Sequence, residues 1–389
     1  MKTNEFKIIR NLYNNLEKPL NLHNLYIEED SKTSLYEEIK KGDISIGNEI
    51  YKLKQVLSDY FKNEQLNIGL LNSGTSALHL ALATLNLTDQ DDILISPITF
   101  IAPVNAIKYA GGEPFFLDVN EDTLNISPSA LLDFIEKNTS EKNGKLINHI
   151  SGNEIKGLIH VDVFGQIGEL DKIYEICKKY NIFCIEDAAE SFGSKLNNFN
   201  IGKYCDLVTG SFNGNKIISG GGGGFVGSKN QDKINEIVQM SNHSKTGKEW
   251  EYDHDKIGYN YRINNLQATL INSQIKNLNK IVSKKRKLHD YYYEYFKETE
   301  ITLFNEIKNN KSNYWLNTIK LNLNNIEVDS LLTILNEEGI KCRKLWKLMT
   351  KINHHKSKNN FSDLSQSKKI SEKIINIPSG LDIYSNIIK

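Results

Sequence analysis

The chain has 389 residues, which favours two domains, or one large domain with a smaller lobe, over a single small core. Hydrophobic residues make up 39% and charged residues 25%, as in ordinary globular proteins. Lysine plus arginine and aspartate plus glutamate number 48 each. This balance argues against nucleic acid or anionic lipid as a partner, since both attract a strongly basic protein.

The sequence also carries no pattern of export or membrane insertion. The polar beginning MKTNEFKIIRNLYNN lacks an apolar stretch of signal-peptide length, and no apolar run reaches the roughly 18 residues of a membrane helix. The four cysteines lack the spacing of a metal site: Cys177, Cys184, Cys205 and Cys342. We therefore expect a cytoplasmic protein with no membrane partner and no metal.

Short apolar runs alternate with helical patterns through the middle of the chain. The predicted helices are 74–86, 101–110, 128–137 and 169–180, and the predicted strands are 93–96, 114–119, 157–161, 182–186, 206–212 and 225–228. This alternation is typical of an α/β protein with a mostly parallel sheet covered by helices on both faces.

The pattern changes towards the carboxyl end. It is helical from 264 to about 298, and a strand at 314–321 and a helix at 327–338 then indicate a smaller C-terminal α/β domain. The polar segment 353–368 is predicted to be a loop. We expect an N-terminal segment (1–41), a large domain (42–282) and a small domain (283–389).

Three motifs lie where predicted strands end, and ligands of parallel sheets bind at that edge. The first is Ser73-Gly74-Thr75-Ser76, whose small residues open a helix. The free N–H groups at a helix start can bind a phosphate. Serine and threonine are equally preferred as plain helix caps, so the motif alone leaves both interpretations open.

The second motif is IEDAAES, which places Asp187 at the end of an apolar strand. A carboxylate there can pair with a protonated ring nitrogen and keep that ring electron-withdrawing. A helix cap or a metal ligand would also explain an aspartate at this position.

The third motif is SFNGNK, in which Lys216 follows a strand and precedes a run of glycines. A partly buried lysine can act as an amine nucleophile towards a carbonyl, although a surface lysine in a turn is the simpler alternative. Ile217 excludes a nucleotide-binding P-loop, which needs serine or threonine after the lysine. The glycine run also lacks the spacing of a dinucleotide fingerprint, which argues against a nicotinamide-dependent oxidoreductase.

The order of these motifs resembles that of fold-type-I pyridoxal-phosphate enzymes. More specifically, the chain resembles the DegT/DnrJ/EryC1/StrS sugar aminotransferase family from about Gly42 to Gly380. The resemblance is carried by SGTSALHLAL, SPITFIAPVNAIKYAGGEPFFLDV, HVDVFGQIGELDKI, IEDAAESFGS, SFNGNKIISGGGG and GYNYRINNLQATL.

The resemblance implies a function for each matching residue. Lys216 would hold pyridoxal 5'-phosphate as a Schiff base and then move protons, with pyridoxamine phosphate as the intermediate. Asp187 would pair with the ring nitrogen and Phe100 would stack on the ring, although an ordinary core phenylalanine is nearly as good an interpretation. Glu190 occupies the position at which many members carry glutamine, which would place it near the ring oxygen. The remaining cofactor-binding residues would be Gly74, Thr75, Ser76, Ser211, Asn213 and Asn260.

The same resemblance implies the substrates and the assembly. Asn260 and Arg262 would reach the site of a second subunit near phosphate groups, which requires a homodimer; a salt bridge at a helix entry is the simpler interpretation of Arg262. SFNGNKII, EDAAES and KLWKLM, with Trp346 as a substrate contact, are most similar to the bacillosamine and legionaminic acid branch. Glutamate would donate the amine to a UDP-linked 4-keto-6-deoxy sugar.

Two observations bear on the alternatives. Thr350 stands where close relatives carry histidine, so a GDP- or dTDP-linked keto sugar stays open. A sugar dehydratase of the same family would need histidine in place of Lys216, and a non-catalytic regulatory protein would be expected to have lost Asp187, Ser211 or Lys216.

Overall fold

The computed structural model describes residues 3–25, 27–248, 250–353 and 360–387. Within these ranges the helices are α1 (Asn4–Leu12), α2 (Glu29–Lys41), α3 (Asn48–Tyr60), α4 (Gly74–Ala83), α5 (Ile101–Tyr109), α6 (Pro128–Asn138), α7 (Leu170–Lys179), α8 (Gln231–Ser241), α9 (Asn265–Ile275), α10 (Leu278–Phe296), α11 (Asn325–Glu337), α12 (Ser365–Ser371) and α13 (Leu381–Ile387). Two short 3-10 turns cover Val163–Gly165 and Met349–Lys351.

The strands of the large sheet and its attached hairpin are β1 (Asn67–Leu71), β2 (Asp91–Ile95), β3 (Glu113–Phe116), β4 (Thr139–Lys142), β5 (Lys145–Asn148), β6 (Glu154–Val161), β7 (Phe183–Asp187), β10 (Leu207–Ser211) and β11 (Gly224–Ser228). The other strands are β8 (Lys195–Leu196), β9 (Phe199–Asn200), β12 (Lys245–Thr246), β13 (Asp253–His254), β14 (Thr302–Leu303), β15 (Asn310–Lys311), β16 (Asn317–Lys320), β17 (Arg343–Lys344) and β18 (Ile374–Ile377).

The large sheet has the strand order β1-β11-β10-β7-β6-β2-β3. The strands from β10 to β3 pair in parallel, while β11 is antiparallel to both of its neighbours. The parallel strands are buried on both faces, as their continuous apolar runs predict. The predicted α/β class with a mostly parallel central sheet is thus confirmed.

The predicted elements of this sheet appear with small changes at their ends. For example, the strand expected at 114–119 is β3, which ends at Phe116. The strand β1 was missed because its apolar run, NIGLL, is short and runs directly into the motif at Ser73. Its pairing partner β11 lies far away in sequence, so the local pattern cannot reveal it.

The smaller lobe is an antiparallel sheet in the order β14-β16-β18-β17. Its apolar core combines residues of α10, α11 and these strands, such as Leu288, Val328 and Ile375. The predicted strand at 314–321 and helix at 327–338 correspond to β16 and α11. The division into segments 1–41, 42–282 and 283–389 stays a prediction.

The beginning of the chain packs against its far end. Phe6, Ile9 and Leu12 of α1 belong to the core of the smaller lobe. Further along, Leu20 forms a parallel bridge with Ile340. The sequence shows no pattern for this docking because the contacts are all long-range.

The prediction of a loop at 353–368 is wrong for residues 365–368, which form the first part of helix α12, and residues 354–359 lie outside the described ranges. Phe361 pairs with Phe116 at the edge of the large sheet. Helix α12 follows because the Asp118 carboxylate accepts hydrogen bonds from the backbone N–H groups of Gln366 and Ser367, each at 2.8 Å. The local Asp363 also accepts the Ser365 N–H, at 3.1 Å, but the more distant cap from Asp118 leaves no trace in the local sequence. In the described ranges, no helix is long and apolar enough to cross a membrane.

Candidate active site

A cavity of about 280 Å³ lies at the carboxyl ends of the parallel strands, where the start of α4 and the smaller lobe meet. Nine of the predicted site residues line it: Gly74, Thr75, Phe100, Asp187, Glu190, Ser211, Asn213, Lys216 and Trp346. Parallel strands bring these residues together because the chain returns to the same edge of the sheet after each helix.

One corner of the cavity is the start of α4. Ser73 caps this helix by accepting the Ser76 N–H at 3.1 Å. Within the described residues the N–H of Thr75 makes no hydrogen bond, so it is available to a ligand. Gly74 is required here, since a Cβ would lie 2.7 Å from the Cβ of Ser211 on β10. The helix start and the end of β10 therefore form one close, polar corner.

The structure does not bring Ser76 to the cavity. Its N–H is bound by Ser73, and its hydroxyl donates to the Asn72 side-chain oxygen at 2.6 Å. Ser76 is 6% exposed, so its hydrogen-bonding capacity serves the helix start itself.

Asp187 ends β7 and faces the cavity with 5% of its surface exposed. Its Oδ1 accepts the N–H of Ala189 at 3.2 Å. Burial raises the pKa of Asp187 to about 7, and the Ala189 N–H and the charge of Lys216 oppose this rise. A positive ligand group next to this carboxylate would offset the free-energy cost of burying its negative charge.

Lys216 enters the cavity from the loop after β10, and its side chain is only 14% exposed. The Nζ lies 4.2 Å from the centroid of the Trp315 ring and 3.4 Å from Oε1 of Glu190. These two contacts hold the amine over the cavity floor, by which we mean the ends of β7 and β10 with Asp187 and Ser211.

Glu190 is buried, and its two carboxylate oxygens face different groups. Oε2 accepts the backbone N–H of Phe164 at 2.8 Å, while Oε1 faces Lys216. Burial raises the pKa of Glu190, and Lys216 opposes that rise. Glu190 thus links the lysine loop to the turn after β6.

The wall opposite the sheet includes Arg343, at the start of β17, and Trp346. Behind the wall the Trp346 ring packs against the Phe164 ring, with 4.7 Å between their centroids. The Arg343 guanidinium lies 5.8 Å from the Trp346 centroid, and its Nε donates to Asn376 at 3.4 Å. Burial lowers the pKa of Arg343, and the Glu190 charge opposes this. Our sequence analysis missed Arg343, although it directly precedes the KLWKLM motif that was noticed.

Asn260 and Arg262 do not line this cavity. The backbone carbonyl of Asn260 accepts from the Asn72 side chain at 3.2 Å, behind the start of α4. Arg262 donates to Asn242 at 3.2 Å and lines a second cavity of about 510 Å³, together with Lys245 and Lys54.

Comparison with protein families identifies one match that covers most of the chain. Residues 25–388 match the DegT/DnrJ/EryC1/StrS aminotransferase family. The chain belongs to this family. The resemblance inferred from its motifs is therefore confirmed.

Three relatives illustrate the similarity, and the names of two of them contain different sugar nucleotides. The chain is 33% identical to a "putative pyridoxal phosphate-dependent aminotransferase EpsN" of Bacillus subtilis, over 71% of this chain and 69% of that protein. It is 32% identical to a GDP-perosamine synthase of Escherichia coli O157:H7, over 71% and 70%. It is 29% identical to a UDP-4-amino-4,6-dideoxy-N-acetyl-beta-L-altrosamine transaminase of Campylobacter jejuni, over 73% and 72%.

Solved structures share the fold. The Helicobacter pylori aminotransferase PseC, described as involved in the biosynthesis of pseudoaminic acid, superposes with a TM-score of 0.83 at 22% identity. The match covers 93% of this chain and 94% of that one. The fold is therefore that of the aminotransferases, over both lobes.

Proposed function

We propose that this protein is a pyridoxal-phosphate-dependent aminotransferase that moves an amino group from glutamate to a nucleotide-linked 4-keto-6-deoxy sugar. The observation that carries the proposal is the meeting of three groups in one cavity: the Lys216 amine, the Asp187 carboxylate and the polar corner at Thr75 and Ser211. Each of the three matches a different part of pyridoxal phosphate.

The described residues fit this cofactor. The available Thr75 N–H at a helix start and the adjacent Ser211 suit a phosphate. The raised pKa of Asp187 marks a carboxylate that needs a positive partner, and a protonated ring nitrogen is such a partner. Lys216 is the side-chain amine that lines the cavity.

When bound, pyridoxal phosphate supplies an aldehyde that takes up the amine and a ring that withdraws electrons from the reacting carbon. Lys216 would accept a proton from the carbon that bears the nitrogen and would deliver it to a second carbon centre. Its amine is suited to this because it lies over the cavity floor. Glu190 orients that amine through its 3.4 Å contact. Asp187 would keep its negative charge and pair with the protonated ring nitrogen.

Aromatic and amide groups complete the proposed cofactor site. Phe100, at the N-terminus of α5, is 54% exposed in this protomer and has room to stack on a ring. Asn213 lies at the rim of the cavity beside the lysine loop. We assign to Asn213 a supporting contact with the phosphate side of the cofactor.

We assign the donor carboxylate to Arg343. Glutamate carries carboxylates into the cavity, and the cationic side chains of the described lining are Lys216 and Arg343. Since Lys216 would hold the cofactor, Arg343 would be the cation that remains for a carboxylate. Trp346, beside it, would contact the sugar.

The nucleotide is proposed to be UDP, with an N-acetylated 4-keto sugar destined for a bacterial surface glycan such as one containing bacillosamine or legionaminic acid. The motifs EDAAES and KLWKLM and the relative named as a UDP-sugar transaminase support this. A GDP-linked keto sugar is the second candidate, because a GDP-perosamine synthase is a relative of higher identity. The presence of Asp187, Ser211 and Lys216 argues against a regulatory protein without catalysis.

We further propose a cytoplasmic homodimer in which Asn260 and Arg262 serve the partner's site. In this protomer both residues lie outside the candidate active site, and Arg262 lines a separate open cavity with other cations. Positive groups at such a place suit the phosphates of a nucleotide sugar.

The test is the visible absorption spectrum of the purified protein before and after addition of glutamate. A yellow band that bleaches with glutamate supports the cofactor, its lysine link and the donor together. A protein that stays colourless with added pyridoxal phosphate would contradict the proposal. Turnover of UDP-, GDP- and dTDP-linked 4-keto sugars by the glutamate-treated protein then identifies the nucleotide.

A further inference from the structure

The segment 312–316, SNYWL, leads into β16 of the smaller lobe, yet it is bound to the side of the cavity that carries Glu190. Asn313 is fully buried, and its Nδ2 donates to the carbonyls of Glu190 at 2.9 Å and of Phe192 at 3.0 Å. Its backbone N–H donates to Oγ of Ser194 at 2.9 Å. One asparagine thus holds the chain around Glu190, here called the Glu190 turn (residues 189–193).

The same asparagine fixes the course of its own segment. Its Oδ1 accepts the N–H of Trp315, two residues on, at 2.8 Å, a contact that asparagine makes at turns. Tyr314, between the two, has a φ of 47°, in the left-handed region that non-glycine residues rarely adopt. The ring of His289 stacks on Tyr314 with 3.6 Å between the centroids and supports this conformation. The turn therefore directs Asn313 and Trp315 to the same cavity.

Trp315 extends this arrangement to the lysine loop (residues 212–218). Its Nε1–H donates to the Asn215 carbonyl at 2.7 Å, and its ring centroid lies 4.2 Å from the Lys216 Nζ. Its own carbonyl accepts a hydrogen bond from the buried Lys285 at 2.7 Å. The indole is 2% exposed, so close packing leaves it little room to move. It therefore contacts the loop at two points, the backbone before the lysine and the amine itself.

The space for the Asn313 amide is also built by the chain. Gly165 lies against it, and a Cβ at this glycine would overlap with Oδ1 of Asn313. The Gly165 carbonyl accepts hydrogen bonds from the hydroxyls of Ser194 at 2.8 Å and Ser312 at 3.0 Å. The partners of the amide fix its orientation, because two carbonyls need a donor and one N–H needs an acceptor.

We infer that Asn313 is a positioning residue for the pair Glu190 and Lys216: it holds the Glu190 turn directly and the lysine loop through Trp315. The 3.4 Å between Glu190 Oε1 and Lys216 Nζ is then maintained by one buried side chain. The catalytic part of this inference rests on the proposed function, in which Lys216 is the reacting amine. A displacement of that amine by about 1 Å is expected to slow the reaction strongly, because proton transfer requires close alignment.

The test compares Asn313→Ala with a matched control, Asn148→Ala. Asn148 on β5 is also fully buried; its Nδ2 donates to Asp92 at 2.7 Å and its Oδ1 accepts the Ile150 N–H at 2.9 Å. Asp92 lies near the start of β2, so this asparagine is at the end of the sheet opposite the cavity. Both variants thus remove a buried, hydrogen-bonded amide, but only Asn313→Ala removes one next to the site.

A second variant, Trp315→Phe, separates the two connections of Asn313. It keeps an aromatic ring under the Lys216 amine and loses the hydrogen bond to the Asn215 carbonyl. The contacts of Asn313 with the Glu190 turn are unchanged in this variant. Trp315→Phe should therefore loosen the lysine loop alone.

The first measurement is hydrogen–deuterium exchange in cofactor-free protein. The reporters are the N–H groups of Ser191 and Lys216, which donate to Ala188 at 3.2 Å and to Asn213 at 3.0 Å. In Asn313→Ala we expect exchange about fivefold faster at both, in Trp315→Phe at Lys216 alone, and in Asn148→Ala at neither.

Unchanged exchange in a folded Asn313→Ala protein, or equal acceleration at both reporters in Asn148→Ala, would overturn the inference. Should Asn313→Ala fail to fold, Asn313→Ser replaces it. The serine hydroxyl can still accept the Trp315 N–H, but it cannot reach the carbonyls of the Glu190 turn as the amide does. Faster exchange at Ser191 is then the expected result, and a wild-type rate there is the contradicting one.

The second measurement uses protein loaded with pyridoxal phosphate. Asn313→Ala should lower kcat about tenfold and leave the KM for glutamate near its wild-type value, because the amine and not the donor site is displaced. Asn148→Ala should keep the wild-type kcat. A wild-type kcat in Asn313→Ala would refute the catalytic part of the inference. Failure of the wild-type protein to take up the cofactor would instead contradict the proposed function, and the exchange experiment would still decide the structural part.

Discussion

Replacing Asp187 by asparagine should stabilise the cofactor-free protein at neutral and alkaline pH. The wild-type carboxyl is 5% exposed and forms no salt bridge within the described residues. Its pKa in the folded protein is about 7, against an ordinary value of 3.8. The unfolded chain thus releases this proton near pH 4 and the folded protein only near pH 7, so the stability of the folded state falls as the pH rises between these values.

The magnitude follows from the size of the shift. One pKa unit corresponds to about 1.4 kcal/mol. Of the range from about pH 5 to pH 8, about two pH units lie between the pKa of Asp187 in the unfolded chain and its pKa in the folded protein. The asparagine variant has no group that titrates there. Its stability relative to wild type should therefore increase by about 3 kcal/mol from pH 5 to pH 8. Glu186, whose pKa burial raises to about 7, is present in both proteins; the Asp187 charge adds to that rise, so its removal acts through Glu186 in the same stabilising direction.

The assay is urea unfolding of both cofactor-free proteins at the two pH values, followed by circular dichroism. Asp133→Asn, which removes an exposed carboxylate on α6, is the control and should show no such pH dependence. A stability difference between wild type and Asp187→Asn that is equal at both pH values would refute the reasoning. Added pyridoxal phosphate should then stabilise wild type more than the variant, since only the aspartate can pair with a protonated ring nitrogen.

Three other substitutions test separate parts of the site. Lys216→Ala should abolish the visible band and lower turnover of keto sugar by about a thousandfold or more, measured by absorbance and by product formation; a wild-type rate would contradict the assigned role of this lysine. Arg343→Gln should raise the glutamate concentration needed for half-maximal bleaching about a hundredfold, because a charged hydrogen bond to the glutamate carboxylate is lost. The rate with keto sugar should change little, and rapid-mixing absorbance measures both. Gly74→Ala should weaken cofactor binding at least tenfold in a fluorescence titration, because the new methyl group meets Ser211; Gly214→Ala, whose Cβ would meet nothing within 4 Å, is the control and should bind normally.

The sequence reveals the cavity floor because short local motifs produce it. Asp187 and Lys216 each follow an apolar strand, and adjacent parallel strands end at the same edge of the sheet. Their placement in one cavity therefore follows from the strand pattern alone. The function of Ser76 was harder to predict. Its hydroxyl donates to the side chain of Asn72, and this residue lies outside the motif.

The wall of the cavity is less visible in the sequence because long-range contacts create it. Arg343 faces the cavity only since the two-residue strand β17 pairs with β18, more than 30 positions later in the chain. The N-terminal segment docks on the opposite end of the chain, where Leu20 bridges to Ile340. No local pattern of apolar residues predicts either contact.

The wall that carries Arg343 and Trp346 is fixed to the large sheet as well as to the smaller lobe. Arg343 belongs to β17 of the smaller lobe, but Leu345, Leu348 and Met349 belong to the apolar core of the large sheet. The Met349 N–H also donates to the Pro97 carbonyl at 3.1 Å. The wall is thus preformed relative to the end of the large sheet that carries Asp187, as in ligand sites that need little closure. Under the proposed function, the cofactor chemistry would depend on the sheet side of the cavity, and the choice of sugar could vary through this wall without disturbing that side.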